Sequence, residues 1–188
     1  RPVVRAVGLE AVRLTPGSEF HAAQQLNADY LLGLSAARLL WSFYETAGLT
    51  PPAVDPYGGW EDSHKGGWPD PATPTRTLRG HFVGHYLSAL AMGYAASGDV
   101  RLAARAAHMV LELRRCQHAA GSGFVSAWPE EVFDALEAGK FAEVWAPWYT
   151  VHKVLQGLLD AHTHLGKTRA PTHGGGDAGG GAAGGDAA

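Results

Sequence analysis

From Phe20 onward the residues Phe20, Ala23, Asn27, Tyr30, Leu31 and Leu34 recur at steps of three and four. That period predicts a helix with one buried face and leaves little room for strands. Ser18 stands where an N-cap belongs, able to accept from an orphan backbone N–H. A second helix runs from Ala36 to Ala47, stops at Gly48, and is barred from continuing by Pro51 and Pro52. The segment Gly80 to Gly98 is rich in small residues and apolar on most of its circumference, which suits a helix packed closely between neighbours.

Asp99 caps the next helix, over residues 100–119, with Leu102, Ala103, Ala106, Met109, Val110 and Leu113 on one side. Arg101, Arg105, Glu112 and Arg115 occupy the other side. Shorter patterns predict helices at Glu130 to Ala138 behind Pro129 and at Tyr149 to Leu165 behind Pro147. Only Ala6 to Leu14 alternates enough to be read as a strand. The chain therefore reads as all-α, an array of helical hairpins with Gly-Asp or Gly-Ser turns.

Between these helices, residues 48–79 hold Pro51, Pro52, Pro56, Pro69, Pro71 and Pro74 and read as one long surface loop. Loops of that length carry function often enough to be searched for it. From Gly174 the chain contains only Gly, Ala and Asp, with no large side chain to offset the entropy of ordering, so disorder is expected there. A length of 188 residues fits one domain. The net charge of −3 comes with no run of Lys or Arg, which sets aside nucleic acid and an acidic membrane as partners. No stretch approaches the roughly 18 apolar residues of a membrane span, and the start at Arg1 lacks the apolar core of a signal peptide. The single cysteine, Cys116, excludes an internal disulfide and a zinc site built from several thiolates of this chain.

Trp60, Trp68, Trp128, Trp145 and Trp148 fall in predicted loops or helix starts, and only Trp41 lies inside a helix. Sugars present apolar C–H faces and a rim of hydroxyls, so their sites combine flat rings with groups that exchange hydrogen bonds. The loop Tyr57-Gly58-Gly59-Trp60-Glu61 has that mixture. The plainer explanation is that these tryptophans seal helix ends against the core. His81 and His85 are four residues apart and share a helix face. Their HFVGH spacing lacks the glutamate of HExxH, which leaves a hydrogen-bonded structural pair or a pair lining a sugar pocket as the better readings.

Tyr149 and His152 again set a ring, a hydroxyl and an imidazole at a helix start. Glu61, Asp62 and Asp70 offer carboxylates, while adjacent Glu130 and Glu131 are explained by the helix dipole. Cys116, between Arg115 and Gln117, reads as a partly buried structural thiol.

The motifs AAQQLNADYLLGL, RLLWSFYETAGL, YGGWE, GHFVGHYLSALAMGYAASGD, GFVSAWPEEVFDALEAG and VWAPWYTVHKVLQGLLDAH follow one another over roughly residues 14–166. In this order they resemble the start of the catalytic domain of glycoside hydrolase family 127, the β-L-arabinofuranosidase-like family. The resemblance implies an (α/α)6 toroid, here incomplete, its helical hairpins forming an open arc. It also implies hydrolysis with retention at arabinofuranosyl or related units, with an arabinose-containing glycan as the carbohydrate substrate. In the family a cysteine nucleophile on zinc, held by further cysteines and a glutamate, works with a glutamate acid/base. Those residues belong to the C-terminal half, and none matches a position here.

Two domain-level expectations follow: residues 14–166 as the N-terminal portion of that catalytic domain, and 167–188 as a disordered Gly/Ala-rich tail. Trp60, Glu61, His81, His85, Tyr149 and His152 are the expected substrate-binding residues, with no catalytic residue and no metal ligand in this chain. The competing class is a non-catalytic helical-repeat module that binds a glycan or protein partner through its loop aromatics.

Overall fold

A computed structural model describes residues 6–61, 77–140 and 146–166. The expected tail, Asp62, Asp70, Trp68 and Trp145 lie outside the described residues. Within them are six α-helices and no strand: α1 (Glu19–Gly33), α2 (Ala36–Thr46), α3 (His81–Ser97), α4 (Val100–Ala120), α5 (Glu130–Glu137) and α6 (Pro147–Leu165). Their boundaries follow local chemistry. Ser18 Oγ accepts from His21 N at the start of α1, and Asp99 accepts from Arg101 N at the start of α4. Gly98 ends α3 at φ 78°, the left-handed conformation that glycine adopts without steric cost. Pro147 opens α6, where a missing N–H costs nothing.

Three expectations need correction. Ala6 to Leu14 is a single 3₁₀ turn at Leu9–Ala11 with extended flanks, and no described strand lies beside it to complete a ladder. Arg13 Nη1 instead donates to Ala95 O at 3.1 Å, tying this stretch to the end of α3. The expected face of α1 holds only at its end: Leu31 is buried and Leu34 half-buried as expected, but Phe20 is 66% and Tyr30 60% exposed, Ala23 and Asn27 are exposed too, and Ala28 is buried instead. Apolar and polar residues are mixed around the helix, so periodicity alone did not fix which side turns inward.

On α4, Arg105 and Glu112 are half-buried rather than solvated. Arg105 Nη1 donates to Leu34 O at 2.7 Å and to Tyr86 Oη at 3.0 Å, satisfying a carbonyl orphaned at the end of α1. Glu112 accepts from the Tyr44 hydroxyl on α2. Finally, Trp128 is fully buried in a satellite core with Val132, Phe133 and Ala135, so for this tryptophan the sealing explanation holds.

The main core gathers Leu39, Leu40 and Phe43 of α2, Val83, Tyr86, Leu87 and Leu90 of α3, Leu102, Met109 and Leu113 of α4, and Val154 of α6. Helices α3 and α6 run side by side in the same direction. The His81 and Tyr149 rings meet at their starts, with centroids 6.4 Å apart, and one turn further on Gly84 faces Lys153. Beyond that crossing, Ser88 Oγ donates to Asp160 Oδ2 at 2.6 Å. A Cβ on Gly84 would collide with the carbonyl of Lys153, and one on Gly157 would lie 2.5 Å from Gly84 O. The two backbones touch because neither residue has a side chain. Consequently the first turns of α3 and α6 are held close together, and the site forms at that end.

Candidate functional site

The chain leaves the described residues at Glu61 and returns at Thr77, and its two ends are fastened together. Leu78 N donates to Trp60 O at 2.8 Å. Glu61, in the 3₁₀ turn Gly59–Glu61, reaches the start of α3: Oε2 accepts from Gly80 N at 2.6 Å and Oε1 from Phe82 N at 3.0 Å. Helix α3 has no cap of its own, since Gly80 is its N-cap residue, so a carboxylate from another segment supplies one. Gly80 cannot be replaced, because it holds φ 88° and a Cβ there would lie 2.5 Å from that of Ala127.

His81 Nδ1 lies 2.7 Å from Glu61 Oε1 and 2.7 Å from Leu78 O. Both are acceptors, so Nδ1 carries the proton. Around this half-buried pair stand the other rings. Trp60 lies edge-on at 6.2 Å between centroids, His85 at 5.8 Å and Tyr149 at 6.4 Å from His81, with His152 5.4 Å from Tyr149. Trp60, His85, Tyr149 and His152 are exposed. All six residues singled out in the sequence thus come together at the starts of α3 and α6, a half-buried carboxylate–imidazole pair beside four exposed rings. Glu130 and Glu131 stay in the exposed first turn of α5.

Lys153 is the member that sequence reasoning missed. Its Nζ lies 5.1 Å from the Tyr149 ring centroid. Spacing could have found it: Tyr149 and Lys153 are four residues apart on α6 and share a face. Its charge helps set the two histidines apart. Burial disfavours the charged form of His81, but the hydrogen bond and charge of Glu61, with the Leu78 carbonyl, outweigh burial and Lys153 and raise its pKa. His85 is lowered, first by burial and then by Lys153, His81 and His152, against the pull of Glu61.

The zinc that the family resemblance implies for a complete enzyme does not fit these residues. Among the described residues no group of three or more His, Cys, Asp or Glu is placed to hold a metal ion. Cys116 is buried in α4, where burial and the charge of Glu112 push its thiol up to about 11. It borders a small void with Phe43, Ala120, Phe124 and Val125, apart from the ring cluster.

The ring cluster can stack on an apolar sugar face and exchange hydrogen bonds with hydroxyls. Among the described residues it holds one carboxylate, Glu61, whose oxygens are both engaged.

The sequence profile of the family described as Beta-L-arabinofuranosidase, GH127 catalytic domain, matches residues 11–172. Among curated proteins no match was found.

Proposed function

Because the chain belongs to the glycoside hydrolase family 127 catalytic-domain family, a family of carbohydrate-active hydrolases, we propose that its ring cluster is one wall of a site for an arabinose-containing glycan. The convergence of Trp60, His81, His85, Tyr149 and His152 at the starts of two touching helices carries this reading. In it the rings face the sugar, and residues 14–166 form the N-terminal portion of an (α/α)6 toroid. The parallel pairing of α3 with α6 is the relation such a toroid repeats from hairpin to hairpin.

The chain alone is not expected to turn over a glycoside. Retaining hydrolysis needs a nucleophile and an acid/base poised on opposite sides of the anomeric carbon. Glu61 is occupied by two backbone amides and His81, and Cys116 is a buried neutral thiol. Incubation with a chromogenic aryl β-L-arabinofuranoside, beside an active full-length relative, should show no release above background. Methyl β-L-arabinofuranoside should nonetheless quench or shift Trp60 fluorescence. Turnover that survives purification would overturn the claim that this chain lacks the hydrolytic pair, and a silent Trp60 would overturn the sugar wall.

A further inference from the structure

Among the described residues Glu61 is the one carboxylate of the cluster, and its position in the YGGWE turn invites reading it as a ligand contact. The geometry points elsewhere. Its side chain is only 13% exposed, Oε2 is taken by Gly80 N, and Oε1 is shared by Phe82 N and His81 Nδ1. A carboxylate pointed at three donors of its own chain has little left for a sugar hydroxyl. His81, in contrast, has Nδ1 fixed by Glu61 and Leu78 O, which leaves Nε2, on the far side of the ring, as the nitrogen open to a ligand among the described residues.

We propose that Glu61 is a positioning residue: it fastens the Trp60 turn to the start of α3 and holds His81 in the Nδ1–H form, so that ligand hydrogen bonding passes through His81 Nε2 and not through the carboxylate. The inference rests on the sugar-wall reading only for what Nε2 meets. The groups that act on His81 are Glu61 and the Leu78 carbonyl on one side, and Lys153 and His85 on the other, with the Tyr149 ring against it and His152 beyond Tyr149. Of these, Glu61 and the Leu78 carbonyl favour the charged ring.

The test is nitrogen-15 NMR of the imidazoles in the full chain, with His81 assigned through His81→Gln. Glu61→Gln keeps one oxygen, enough for either the Gly80 amide or the Phe82 amide but not both, and removes the charge, whereas Glu61→Ala removes both oxygens. The parent should show neutral His81 protonated on Nδ1 and a titration midpoint above that of a free imidazole. Glu61→Gln should lower that midpoint with a smaller fall in melting temperature than Glu61→Ala, which should lower both. A parent ring protonated on Nε2, or a midpoint that Glu61→Gln leaves unmoved, overturns the proposal and returns Glu61 to a helix cap alone. Methyl β-L-arabinofuranoside added to the same samples reads the sugar wall separately. Its failure to shift His81 Nε2 defeats that wall, while the tautomer and midpoint still decide the role of Glu61.

Discussion

His81 and His85 stand one helical turn apart and answer pH in opposite senses. The pKa of His81 is raised by folding, so the stability it adds is fully present below the ordinary imidazole value, about 6.5, and is lost as pH rises through its folded value. The pKa of His85 is lowered, so its contribution is fully present above that ordinary value and is lost as pH falls through its folded value. His85→Asn should therefore lose less stability than the parent between about pH 7 and about pH 5, measured by urea midpoints. An acid limb unchanged in the variant would mean that His85 is not held neutral. Cys116 gives a second test at this scale. Buried and raised to about 11, it should resist alkylation in the native chain and react only in denaturant. Rapid native labelling would contradict its place in the core.

At the scale of elements, the α3–α6 crossing makes the sharpest prediction. Gly84→Ala drives a methyl into the Lys153 carbonyl, which is backbone and cannot rotate away, and should cost about 1 to 3 kcal/mol or more. Gly93→Ala, on the same helix, meets only the tip of Leu102 at 3.0 Å and should cost less. Gly33→Ala faces open space at the end of α1 and should be neutral or stabilising by up to about 1 kcal/mol. Thermal melts of the three variants should rank in that order, and a silent Gly84→Ala would deny the backbone contact.

Helix ends were legible in the sequence because Ser18, Asp99, Gly98 and Pro147 act within a turn of themselves. The buried side of α1 was legible only in part, since Phe20, Tyr30 and Leu31 all offer large apolar surface and only Leu31 reached the core. In the site, rings at helix starts were readable from position. The capping of α3 by Glu61 was not, because it joins residues separated by a long loop. Lys153 escaped because a lone lysine on a helix usually belongs to a solvated face.

At the scale of the molecule, apolar side chains stand in water at both chain ends of the array. Phe20, Leu26 and Tyr30 of α1 are exposed, as are Trp148, Leu155 and Leu159 of α6. Exposed apolar surface spread along two helices should drive self-association. Light scattering across a concentration series should show mass rising with concentration, and Leu155→Glu with Leu159→Glu should reduce it. A monomer at every concentration would show that these residues are tolerated as scattered surface. The glycine crossing also bears on how such a site could be diversified. Its two halves are joined main chain to main chain, so their spacing acts as a fixed gauge. A library that varies Trp60, His85, Tyr149 and His152 would change what the opening recognises while leaving its width where Gly84 and Gly157 set it.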